Sequence, residues 1–176
     1  MIFAVLRLRL SSAWWPQLAI LGAALRDLSS RRIPNVLCAA LALVSIAARL
    51  SEGLAAAAAS LAAASLLFAL LFALFARGVL GGGDVKLATA AALGLPPPAV
   101  WDFVVATALA GGALSLLYLA GPHLPLPQPR PAGRGRPLLA RIAAAETWRL
   151  KRRGPLPYAV AIAAGFLLSG NLPAVA

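Results

Sequence analysis

Two aspartates carry most of the chemistry that this sequence offers. Asp84 follows a glycine run in Gly81-Gly82-Gly83-Asp84-Val85-Lys86-Leu87, in a chain with only 5 acidic residues among 176. Asp27 closes an earlier apolar stretch, directly after Arg26. An ionisable side chain at a membrane boundary is costly, so it marks a functional site by default. Two carboxylates brought together share a proton, because like charges at close range resist joint ionisation. One then acts as general base on a water while the other, protonated, hydrogen-bonds the carbonyl under attack. Peptide-bond hydrolysis by this route needs neither metal nor cofactor. The same carboxylates also suit proton or cation passage, and Asp84 alone suits a helix N-terminus.

The rest of the chain must hold these groups, and its composition says in what medium. Hydrophobic residues make up 61% of it and charged residues 12%, with a mean hydropathy of +0.87. A soluble domain of this length cannot bury so much apolar surface, whereas a bilayer solvates it. The expected class is an all-α, polytopic integral membrane protein, with residues 1–176 as one membrane-embedded domain. The net charge of +11 would point a soluble protein toward nucleic acid. In a membrane chain, Lys and Arg instead gather in cytoplasmic loops and set orientation, so the bilayer, not nucleic acid, is the expected partner. Cys38 is the single cysteine, which excludes an internal disulfide or a cysteine-based zinc site and reads as a buried structural thiol. Arg7 and Arg9 interrupt the N-terminal apolar residues, so no clean cleavable signal is expected there.

Apolar runs of roughly 20 residues, or fewer with snorkelling flanks, predict about six crossings. They cover about Ser12 to Arg26 or Asp27, Asn35 to Ala48, Leu54 to Phe75, Asp84 to Leu95, Val100 to Ala120, and Leu156 into the C-terminus. Trp14 and Trp15 suit a membrane interface. Pro34 fits a helix start, where its missing N–H would be unpaired in any case. Gly111-Gly112 suits close helix packing. Residues 121–154 form a Pro/Arg-rich connection whose second half, Leu138 to Leu150, predicts a short amphipathic surface helix.

Alternating the six spans puts the 26–32 turn, the 77–86 segment and the 121–154 loop on one side. They hold 3, 2 and 8 basic residues of the 16, so this side is expected to be cytoplasmic. Asp27 and Asp84 then lie at one depth, on the cytoplasmic boundary. Asp102 and Glu52 fall on the opposite side as boundary residues, Glu146 is expected to pair locally in the basic loop, and His123 is a lone loop histidine. No internal repeat of the kind a transporter would show is apparent.

These residues resemble a known family. Gly81-Gly82-Gly83-Asp84 satisfies the Gly-x-Gly-Asp signature of intramembrane aspartic peptidases, extended by Val85-Lys86. Asp27 followed by Ile33-Pro34-Asn35 looks like the first catalytic motif of bacterial type IV prepilin peptidases. The segment from Pro157-Tyr158-Ala159 to Gly165 resembles their Pro-Tyr-Gly-x-Ala-Ile-Ala stretch, with Ala159 in place of the usual glycine. The resemblance implies that Asp27 and Asp84 are the catalytic pair. It also implies that Gly81, Gly83, Pro34, Asn35, Lys86 and Tyr158 shape the site or bind substrate, without metal or cofactor. The implied substrates are prepilins and pilin-like proteins, cleaved at the cytoplasmic face of the bacterial inner membrane. Paired Cys-x-x-Cys motifs, associated in larger members with N-methylation, are not present. The match is therefore to the short form of tight-adherence (Flp-type) pili, without methylation. The rival reading is a small proton- or cation-coupled transporter or channel component, and a non-catalytic assembly scaffold is a third.

Overall fold

The structure, a computed structural model, describes residues 14–30, 34–123, 138–151 and 156–169. Arg7 and Arg9, Ile33 of the first motif, and residues 124–137 and 152–154 of the Pro/Arg-rich connection lie outside the described residues. Within them the chain is entirely helical: α1 (Trp14–Ser30), α2 (Asn35–Ser51), α3 (Leu54–Ala76), α4 (Gly82–Ala92), α5 (Pro97–Ala120), a 3-10 turn (Gly121–His123), α6 (Leu138–Lys151) and α7 (Tyr158–Ser169).

Two helices, α3 and α5 with its 3-10 extension, are long and apolar enough to cross a membrane; α2 and α7 are apolar but shorter. At about 1.5 Å per residue, α3 extends roughly 34 Å, enough for a hydrocarbon core of about 30 Å. It buries only the narrow stripe Ala57, Ser60, Ala64 and Leu67. Leu61, Leu66, Leu70 and Phe72 are exposed, as befits a helix that is apolar all round and faces lipid.

Helix α4 is different. Its 11 residues extend only about 16 Å, and Val85, Leu87, Ala88, Ala90, Ala91 and Ala92 are all buried. It is a short central helix packed by α1, α2, α3 and α7. Pro96, Pro97 and Pro98 explain its early end, since a proline removes a backbone donor and disfavours helix in the residue before it. The core gathers around it: Ile20 of α1, Leu41 of α2, Leu87 of α4, Phe103 of α5 and Ile162 of α7 are each less than 2% exposed. Phe103 meets Phe166 edge-on, their ring centres 6.3 Å apart.

The most extensively packed helix pair is α5 with α7, and the residue that permits their close approach is Gly165. A Cβ there would lie 2.0 Å from Thr107 Oγ1 and 2.8 Å from the Thr107 backbone nitrogen. Gly111, expected to permit close packing, does so against the Tyr158 ring, 3.2 Å from where a Cβ would sit; Gly112 has nothing within 4 Å.

Polar contacts define two opposite edges. At one, Lys86 Nζ donates to Asn35 Oδ1 at 3.2 Å. At the other, buried Arg49 Nε donates to Ser60 Oγ at 2.8 Å, Ser60 Oγ donates to the Leu95 carbonyl at 2.8 Å, and Arg49 also pairs with Glu52. Glu52 and the end of α2 thus lie away from Asp84. The amphipathic helix forms as expected, as α6. Glu146 holds it down, accepting from Tyr118 of α5 and pairing with Arg149.

Candidate active site

Asp84 owes its position to the way α3 ends. Gly78 takes φ 73°, its N–H donates to the Phe75 carbonyl at 2.8 Å, and the Val79 N–H reaches the Leu74 carbonyl at 3.0 Å. This pair of bonds closes a helix through a left-handed residue, which glycine adopts without steric cost. The chain turns through Leu80 and starts α4 with Gly81 as N-cap. Asp84 is thus the third helical residue, not the cap, and a negative side chain in the first turn complements the helix dipole.

Its carboxylate lies beside Gly81. A Cβ on Gly81 would be 2.8 Å from Asp84 Oδ2, so this glycine gives the carboxylate room. Gly82 lies instead against the Phe75 ring, where a Cβ would be 3.2 Å away. On its other side Asp84 lines a cleft of about 200 Å³ whose walls come from α3, α4, α5 and α7. Among its lining residues are Leu71, Phe103, Val104, Thr107, Tyr158 and Ile162. The cleft is strongly apolar, and among its described lining residues Asp84 is the one carboxylate.

Asp27 arrives from α1. The helix runs on to Ser30, so Asp27 lies in its last turn and not at its end as expected. It is 7% exposed and accepts a hydrogen bond from the backbone N–H of Ala159 at 3.3 Å. Ala159 is fully buried, and the adjacent Tyr158 lines the Asp84 cleft. Two consecutive residues at the start of α7 therefore touch both carboxylates' surroundings, and α1 also packs on α4 directly. The contact with Asp27 uses a backbone donor, which any residue except proline supplies.

The remaining expected site residues divide. Gly81 and Tyr158 lie with Asp84. Lys86 and Asn35 do not: Lys86, two residues on, faces away from Asp84 because successive helical residues turn by about 100°. Pro34 caps α2, its carbonyl accepting from the Leu37 and Cys38 N–H groups at 3.0 and 3.4 Å. Gly83 lies in the first turn of α4. The backbone of Ala159 and the role of Gly111 as the seat of Tyr158 had no signal in a single sequence, because both depend on which helices meet.

No group of three or more His, Cys, Asp or Glu side chains suited to a metal occurs among the described residues. Residues 17–116 match the family model described as the type IV leader peptidase family. That range includes both aspartates and ends before Tyr158. No curated protein and no solved structure gave a match.

Proposed function

The chain belongs to the type IV leader peptidase family, and from that premise we propose that it is an intramembrane aspartic endopeptidase with Asp27 and Asp84 as its catalytic pair. Its substrates are prepilins and pilin-like proteins, from which it removes the N-terminal leader at the cytoplasmic edge of the bacterial inner membrane. The reading takes the chain as a multi-pass protein of about six crossings, related to the short form of Flp-type pilus systems. The proposal ends at leader removal and does not include N-methylation of the product.

One observation carries the reading. The start of α7 supplies Ala159 N–H to Asp27 and Tyr158 to the Asp84 cleft, so one turn of helix borders the surroundings of both carboxylates. One carboxylate takes a proton from water, and the resulting hydroxide adds to the scissile carbonyl carbon. The protonated partner donates a hydrogen bond to the carbonyl oxygen. The tetrahedral intermediate collapses as a carboxyl group returns a proton to the departing amine, and the pair regains its shared proton. The protons belong to the coupled pair and are not divided between its members.

The cleft supports the substrate assignment. A substrate whose cleavage point adjoins a membrane-held apolar segment would present polar backbone to the aspartates and apolar side chains to the wall formed by Leu71, Phe103 and Ile162. Nothing observed favours transport by these carboxylates. Co-expression with a pilin precursor tests the proposal: wild type should remove the leader, and Asp27→Asn and Asp84→Asn should not. Leader removal that survives both substitutions refutes the aspartate pair.

A further inference from the structure

Helix α4 has a second face. Lys86 leaves it about 200° around the helix from Asp84 and enters a separate, open groove of about 370 Å³ between α2, α3 and α4. Its polar end is Lys86 with Asn35, and its length is lined by Cys38, Ala42, Phe68 and Leu93. The α2 flank is exposed and apolar, with Val36 at 79% and Leu43 at 69%. The groove therefore opens on the surface that meets lipid, and its cation lies at the end where α2 and α4 begin.

We propose that this groove holds an anionic phospholipid of the surrounding bilayer, with its phosphate on Lys86 and Asn35 and one acyl chain along Phe68 and Leu93. Three properties point to that occupant. Lys86 is exposed and has no carboxylate partner among the described residues, so its charge is available to an anion. An ammonium has three donors, and Asn35 Oδ1 takes one. The apolar length below that cation is bounded by lipid-facing side chains, which suits a chain already dissolved in the bilayer and not a water-soluble ligand. The lipid would pack where α2, α3 and α4 meet, on the opposite face of α4 from the Asp84 cleft, and so brace the helix that presents Asp84.

Native mass spectrometry of the full chain in detergent tests this, with phosphatidylglycerol, phosphatidylcholine and inorganic phosphate as probes. Wild type should retain one phosphatidylglycerol in preference to phosphatidylcholine. Lys86→Gln should weaken that binding on the order of tenfold, as loss of a charge-assisted hydrogen bond does, and Lys86→Arg should keep it. Ala39→Trp, on the exposed rim of the groove, should displace the lipid while leaving Lys86 in place. Phosphatidylglycerol binding unchanged in both Lys86→Gln and Ala39→Trp overturns the proposal. So does competition by inorganic phosphate as strong as that by the lipid, which would mean an anion site without a chain groove. None of these readouts involves leader removal, so the result stands apart from that of the peptidase assay.

Discussion

Asp27 accepts a hydrogen bond from the Ala159 backbone N–H at 3.3 Å across 132 residues of sequence. This contact ties the last turn of α1 to the first turn of α7, and the neighbouring Tyr158 extends the connection to the cleft beside Asp84. Asp27 and the cleft that Asp84 lines are thereby both bordered by one rigid element.

The first prediction concerns the pair itself. Asp27→Asn and Asp84→Asn should each reduce leader removal by at least about a hundredfold, the scale of general acid–base catalysis. Gel shift of a co-expressed pilin precursor reads the outcome. Equal loss in the single and double variants would mark the two as one unit.

Gly81→Ala should separate activity from folding. The added methyl meets Asp84 Oδ2 at 2.8 Å, and a side-chain oxygen swings aside more readily than backbone. The carboxylate moves while the helix stays. A displacement of this kind should slow cleavage on the order of tenfold to a hundredfold, with the thermal midpoint in detergent nearly unchanged.

Gly165→Ala should do the reverse. Its methyl would meet Thr107 Oγ1 and the Thr107 backbone, and α5 cannot yield without moving away from α7. We expect a loss of about 1–3 kcal/mol, the usual cost of overpacking, read as a lowered thermal midpoint. Activity should fall with it, since Tyr158 and Ala159 lie on the same helix.

Two buried serines should respond with opposite signs. Ser60 bridges Arg49 and the Leu95 carbonyl, so Ser60→Ala leaves buried groups without their partner and should cost about 1–3 kcal/mol. Ser45 Oγ is buried with no hydrogen-bond partner among the described residues, so Ser45→Ala should be neutral or stabilise by up to about 1 kcal/mol. Thermal unfolding of the two variants side by side checks the pair. Equal destabilisation would contradict the assignment.

The sequence by itself pointed to a bilayer, fixed the helical class and singled out two carboxylates. Excess apolar residues require a bilayer, and hydrogen bonding in a bilayer requires helices. The scarcity of acidic residues left Asp27 and Asp84 conspicuous. Helix positions were legible too, because glycine, proline and charge interrupt apolar runs at the ends of α3, α4 and α5. The character of α4 was not. Its residues are as apolar as a short span, and only the neighbours packed round it make it a buried central helix. Helical spacing set Asp84 and Lys86 on different faces of α4 but did not reveal the grooves they line. Tertiary structure decided that by which helices stand on each side of α4. Gly165 and Ala159 stand in a recognisable motif and Ser60 in a plain apolar run, yet each acquires its packing role from a backbone atom or side chain that another helix brings within 3 or 4 Å. Composition is a property of the whole chain, whereas a site depends on contacts between segments far apart in it.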